Sequence, residues 1–259
     1  MKNYMYYLLA IAVIAIVIFN KNTFIEPMYN NINNNNNNNI QLPNATNLLT
    51  RDDYDCYLIN LEKNAERLSV FSSYYKESDL NKNPFIKIKA IYGRDIDYAS
   101  FISPNAELNM TPGMVGCFLS HLHIYNEIKK SIKDYALIFE DDARMIRDIQ
   151  VSTINNIKNT IPNDWDIILL GYDISHPLNH EIVQYDNYIK VYGFYGTHAY
   201  LITKRGAEKM LNLAKIPFTN QIDHVMGDLC RLGLLNVYGI STPVVWQEAR
   251  FTDVQTNPQ

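Results

Sequence analysis

The residue types that could do chemistry converge on Glu140-Asp141-Asp142, which ends the apolar run Tyr135-Ala136-Leu137-Ile138-Phe139. A short run without polar alternation, rich in aromatic and branched residues, predicts a strand buried on both faces of a mostly parallel sheet. Ligands of such sheets bind just outside the carboxyl ends of the strands, where these three acids fall. If the chain stays extended, Glu140 and Asp142 point to one side and Asp141 to the other. Two hard oxygen ligands so spaced can hold Mg²⁺ or Mn²⁺, and the ion can clamp a diphosphate. The same acids fit a second reading, a solvated acidic turn capping the next helix.

Other candidates are scattered along the chain. Asn60-Leu61-Glu62 falls at the carboxyl end of a predicted first strand, where the base of a nucleotide would sit in a doubly wound sheet, and Arg67 follows one helical turn later. Ser120 and His121 are polar positions early in a helix that otherwise reads as core. His198 lies in a strand pattern, and Asp223 and His224 stand at the head of a helix. Each has a structural alternative: an exposed helix arginine for Arg67, ordinary histidines for His121, His198 and His224, and a favourable helix-dipole charge for Asp223. Cys56, Cys117 and Cys230 include no C-x-x-C pair, which excludes the familiar zinc spacings and a dense disulfide framework and predicts buried free thiols.

The elements that must position these groups alternate along the chain. Strands are predicted at Asp55–Leu61, Phe85–Ile91, Tyr135–Phe139, Asp164–Gly171, Gly196–Ile202 and Pro243–Trp246. Helices are predicted at Asn64–Lys76, from Thr111-Pro112 onward, between Asp148 and Ile161, at Lys204–Leu213, and from Ile222. Asn64 and Thr111 are in N-cap positions, and Pro112 suits the first turn. Leu68, Phe71 and Tyr75 repeat at helical spacing, as do Val115, Leu119, Leu122 and Ile128. Strand–helix alternation predicts an α/β fold with a largely parallel sheet flanked by helices.

At 259 residues, 47% hydrophobic and 19% charged, the chain is long enough for one sizeable domain. A net charge of −4 with no basic run argues against nucleic acid as a partner. Met5–Phe19 is almost wholly apolar between Lys2 and Lys21, and no small-residue cleavage site follows. Residues 1–24 are therefore expected to form a single membrane-anchoring helix. Residues 25–50 include the asparagine tract 30–39, which buries nothing and is expected to be a flexible stalk. Asn44-Ala45-Thr46 is a glycosylation sequon there, usable only in a lumenal segment. Residues 51–259 form the expected catalytic domain.

Four segments together resemble glycosyltransferase family 25: Tyr57-Leu58-Ile59-Asn60-Leu61 with Arg67; Gly113-x-x-Gly116-Cys117-x-x-Ser120-His121; Glu140-Asp141-Asp142; and Gly196-Thr197-His198-Ala199-Tyr200 followed by Asp223. The family includes bacterial lipooligosaccharide galactosyltransferases and collagen hydroxylysine galactosyltransferases. The resemblance implies a GT-A-like, Rossmann-type fold and inverting, Mn²⁺-dependent (or Mg²⁺-dependent) transfer of a hexose, galactose by preference. The donor would be a UDP-sugar and the acceptor a glycan, a lipid-linked or lipooligosaccharide species, or a protein. It further implies that Asp142 and Glu140 hold the metal, with His198 nearby, and that Asp141 faces the ribose or donor sugar. Asn60, Leu61 and Arg67 would hold the uridine side, Ser120 and His121 would line the donor pocket, and Asp223 would be the base or a further metal ligand. The membrane is expected as a partner through the N-terminal helix, with the domain on the lumenal side. An inactive, glycosyltransferase-like binding or assembly protein is the alternative.

Overall fold

The computed structural model describes residues 53–106, 109–146, 149, 151–173 and 182–248. The expected anchor, the asparagine stalk and the sequon at Asn44 lie outside the described residues. Among the described residues no helix is long and apolar enough to cross a membrane.

The strands are β1 (Tyr54–Asn60), β2 (Ile86–Lys89), β3 (Tyr135–Glu140), β4 (Ala143–Met145), β5 (Ile167–Asp173), β6 (Ile182–Gln184), β7 (Tyr188–Val191), β8 (Tyr195–Thr203), β9 (Val237–Ile240) and β10 (Val245–Gln247). The helices, numbered among the described residues, are α1 (Ala65–Glu77), α2 (Pro112–Lys130), α3 (Val151–Thr160), α4 (Lys204–Leu213) and α5 (Ile222–Arg231). Eight strands form one sheet in the order β2-β1-β3-β8-β5-β9-β7-β6. β1 runs parallel to β2 and β3, and β9 runs parallel to β5. β8 lies antiparallel between β3 and β5, and the ladders joining β7 to β9 and β6 to β7 are also antiparallel. Within this sheet all strands but β7 and β8 therefore point the same way. The sheet is mostly parallel in strand direction but mixed in its ladders. A strand buried on both faces has the same apolar composition whichever way it runs, which is why the pattern at Gly196–Ile202 did not give β8 its direction.

Adjacent residues of the central strands serve opposite cores. Ile59, Ile138 and Ile202 join Phe118, Tyr125 and Met210 under α2 and α4, while Leu58, Leu137 and Leu201 join Phe71, Tyr75 and Ile154 under α1 and α3. Alternation across the strands thus produces two apolar faces, each covered by helices. On α2 the fully buried stripe is Val115, Phe118, Ile124, Tyr125 and Ile128, while Leu119 and Leu122 are only partly covered.

The predicted caps divide. Thr111 accepts a bond from Met114 N at 3.2 Å and Pro112 opens α2, as expected. Asn64 stands at the cap of α1 without a side-chain cap bond. The terminal strand lies outside the main sheet: β10 pairs antiparallel with β4 in a separate ribbon. Cys56 and Cys230 are buried free thiols, whereas Cys117 is only half-buried.

Candidate functional site

β3 ends at Glu140, and Asp141 and Asp142 form a turn, so the expected alternation stops there and the three acids diverge. Glu140 stays at the strand end, where its Oε1 accepts from Thr197 Oγ1 at 2.7 Å and lies 3.2 Å from His121 Nε2. Asp141 turns toward β1 and α1. Its Oδ2 accepts from Asn60 Nδ2 at 2.7 Å and its Oδ1 from Arg67 Nη1 at 3.2 Å. Asp142 turns toward the C-terminal ribbon, its Oδ2 accepting from Gln247 Nε2 at 3.1 Å and lying 3.9 Å from Arg67 Nη1. Among the described residues, Asp142 Oδ1 is buried with no hydrogen-bond partner.

The turn is fixed from beneath. Arg144, itself buried, donates from Nη1 to Asp141 O at 3.0 Å and to Ala143 O at 2.9 Å, and its other terminal nitrogen pairs with Glu248. Glu248 N donates to Asp142 O at 2.9 Å. No motif or spacing marks Gln247, Arg144 or Glu248 as site residues. They reach the acids only because β10 folds back on β4, and the one available signal was the predicted terminal strand.

The acids form one wall of a cleft of about 550 Å³, its open mouth included. Leu61, Arg67, Tyr92, Gly93, Cys117 and Ser120 line the rest. The cleft opens at the carboxyl ends of β1 and β3, as expected for this class of sheet. Several predicted contacts sit behind its surface. Asn60 is buried and holds Asp141. Ser120 reaches the lining, but its hydroxyl donates to Gly116 O at 2.7 Å and accepts from Ile91 N at 2.8 Å. His121 is fully buried, with Nδ1 2.7 Å from Tyr200 Oη and Nε2 on Glu140.

His198 is buried in β8, its Nε2 3.4 Å from Val245 O and its Nδ1 without a partner among the described residues. Asp223 is buried in the first turn of α5. Its Oδ2 accepts from Gly196 N at 3.0 Å and its Oδ1 from His224 N at 2.9 Å. Asp223 stands outside the cleft lining and connects to it through Gly196, Thr197 and Glu140.

Packing three carboxylates this closely shifts their titration. Burial, reinforced by Glu140 and Asp141, pushes the Asp142 carboxyl up to about 7 despite the Gln247 bond. Burial also raises Asp141 against the opposing pull of Asn60 and Arg67, and raises Asp223 against its backbone bonds. Burial works on Glu140 in the same direction, but His121 and Thr197 outweigh it and hold that carboxyl below its usual range. Burial lowers His198. A partnerless carboxylate oxygen amid crowded negative charge fits a divalent cation better than an empty wall, although among the described residues neither Asp142 nor His198 belongs to a group of three ligand atoms within 4.8 Å of one another.

The family model described as glycosyltransferase family 25 (LPS biosynthesis protein) matches residues 53–226, more than half of the chain. The chain is 27% identical over 174 residues to procollagen galactosyltransferase 1-A of Xenopus laevis, a match covering 61% of this chain and 28% of the relative. It is 30% identical over 112 residues to probable inactive glycosyltransferase 25 family member 3 of Bos taurus, covering 42% of this chain and 19% of that protein. The matches thus span well under a third of these relatives' lengths. A solved glycosyltransferase involved in glycosylation of the major capsid of PBCV-1 aligns with 77% of this chain and 94% of its own. Its TM-score is 0.40 at 8% identity, too low to carry an argument.

Proposed function

The chain belongs to glycosyltransferase family 25, and we propose that it transfers a hexose, galactose by preference, from a UDP-sugar to a hydroxyl of a glycan, lipid-linked or protein acceptor. The observation that carries this reading is Asp142. Its buried, partnerless Oδ1 and raised carboxyl stand beside Glu140 and Asp141 on the wall of a cleft at the carboxyl ends of β1 and β3.

In this reading Asp142 and Glu140 hold Mn²⁺ or Mg²⁺, with His198 Nδ1 as a further ligand. Bound there, the ion supplies charge stabilisation to a departing diphosphate. Leu61 and Arg67 receive the uridine side of the donor, with Asn60 acting through Asp141. Asp141 faces the ribose or donor sugar while its oxygens stay anchored, and Ser120 and His121 hold the wall in place. Inverting transfer needs a base across the sugar from the diphosphate, and Asp223 is our candidate, since burial raises its proton affinity toward useful basicity. We further propose that the N-terminal apolar segment anchors the domain on the lumenal side of a membrane. The identity with a bovine relative named as probable inactive favours a second reading, a family member that binds a donor without transferring it.

Calorimetry with UDP-galactose and UDP-glucose, with and without Mn²⁺, tests the donor site. Manganese-dependent binding that Asp142→Ala abolishes is expected, and absence of binding by the folded wild type would remove the transferase reading. Sugar transfer to an added acceptor separates an enzyme from a binding protein.

A further inference from the structure

Among the described residues, one group of three metal-ligating side chains comes together: Cys117, His121 and Glu140, whose ligand atoms all lie within 4.8 Å of one another. Cys117 and His121 are four residues apart on α2, so thiol and imidazole share one face, and Glu140 meets them from the end of β3. We propose that these three residues form a second metal site, which takes a thiophilic divalent ion, Zn²⁺ by preference, in the floor of the cleft.

The ligand set argues for the ion. One sulfur, one nitrogen and one oxygen suit zinc, whereas the all-carboxylate pair at Glu140 and Asp142 suits manganese or magnesium. The imidazole is already oriented for the task. Tyr200 Oη lies 2.7 Å from its Nδ1 and 2.8 Å from Tyr125 Oη, which leaves Nε2 facing Glu140. An outer partner on the second ring nitrogen is the usual support of a metal-bound histidine. Thr197 steadies Glu140 in the same manner, with its hydroxyl 2.7 Å from Oε1. Three protein ligands leave the fourth tetrahedral position open, and Cys117 and Glu140 both line the cleft, so that position faces its interior. Binding replaces the thiol proton of Cys117 with a metal–sulfur bond and releases that proton to solvent, so occupancy grows with pH. Glu140 is common to both metal sites. Zinc in the floor therefore draws it away from Asp142 and opposes manganese-supported donor binding. That last consequence rests on the donor-site reading; the zinc site itself does not.

The test uses the full-length protein and Co²⁺ as a coloured stand-in for zinc. Titration is expected to produce a near-ultraviolet thiolate-to-cobalt charge-transfer band that Zn²⁺ bleaches, that Cys117→Ser abolishes and that Asp142→Ala keeps. Absence of the band in wild type, or its persistence in Cys117→Ser, overturns the proposal. If circular dichroism shows Cys117→Ser unfolded, iodoacetamide labelling of the wild type, mapped by peptide mass, replaces it. Slower labelling of Cys117 in the presence of Zn²⁺ supports the site, and equal labelling overturns it. Neither readout involves UDP, so failure here leaves the donor reading untouched, and the converse also holds.

Discussion

Gln247 Nε2 donates to Asp142 Oδ2 at 3.1 Å from a position 105 residues further along the chain, and the opposite oxygen of the same carboxylate is left buried and bare. One amide therefore fixes which lone pairs of Asp142 remain for a cation. The family match ends at residue 226, so this support comes from a part of the chain that the match does not cover.

Gln247→Ala should therefore weaken Mn²⁺-dependent UDP binding while leaving the fold intact, because Gln247 is an exposed residue on a short ribbon. Loss of an outer hydrogen bond to a metal ligand typically costs ~10–100-fold in affinity, and an effect of that size is expected. A manganese titration at fixed UDP, followed by calorimetry, measures it. Unchanged affinity would mean that Asp142 is held well enough by the backbone bond from Glu248 alone.

The raised Asp142 carboxyl sets a pH dependence whose sign can be stated. The native protein keeps this proton up to about pH 7, whereas the unfolded chain loses it near the ordinary aspartate value of ~3.9. Between those limits the native state binds more protons, so the metal-free protein loses stability from this group as pH rises from about 4 to 7. Asp142→Asn removes the burden. In thermal melts without metal the variant should gain on the wild type at pH 8, by an amount of order 4 kcal/mol, since the two values lie about three pH units apart at ~1.4 kcal/mol each, and gain little at pH 4. Saturating Mn²⁺ should stabilise the wild type at pH 8 and not the variant. A pH-independent difference would show that Asp142 does not titrate in this window.

Asp141 depends on partners that are remote in sequence. Asn60→Ala leaves Oδ2 of a 6%-exposed carboxylate without its closest donor, and such a loss costs ~1–3 kcal/mol. Chemical denaturation should record a destabilisation of that size. Asn60→Asp should lower stability further, since it sets a second negative charge within bonding distance. A neutral Asn60→Ala would mean that water replaces the amide.

Much of the scaffold around these groups was legible because single-residue physics decides it. Thr111-Pro112 marks a helix start in any context, and Tyr135–Phe139 is too apolar to be anything but core. The turn after Glu140 was not legible, since its geometry is set by Arg144 and Glu248 across the C-terminal ribbon. β9 escaped notice because Val237–Ile240 is only four residues long and includes Gly239. β6 and β7 went unpredicted as well, being only three and four residues long. At the site, residue types at strand ends pointed to Glu140, Asp141 and Asp142, which line the cleft with Leu61, Arg67 and Ser120, whereas His121, His198 and Asp223 lie outside its lining. The division of labour among them followed from long-range pairing: Asn60 and Ser120 hold the wall, and His121 stands behind Glu140.

Gly116 offers a separate test of how the wall is built. A Cβ at this position would lie 2.4 Å from Ile91 O and 2.8 Å from Gly93 N, both backbone atoms of a segment that lines the cleft. Gly116→Ala therefore has to push that segment away from α2, and overpacking of this kind costs ~1–3 kcal/mol. The displaced residues include Tyr92 and Gly93, so UDP binding should also weaken at temperatures where the variant is fully folded. Gly233→Ala is the control. Gly233 has φ of +69° with no atom near a new Cβ, and it is absent from the cleft lining. Its replacement should lower stability by about 1 kcal/mol through backbone strain alone and leave UDP affinity unchanged. Calorimetry on both variants, at matched folded fraction, separates the two effects. Equal UDP affinity in Gly116→Ala and wild type would show that close packing of α2 on residues 91–93 serves stability only, and that the Gly113-x-x-Gly116 segment does not shape the donor cleft.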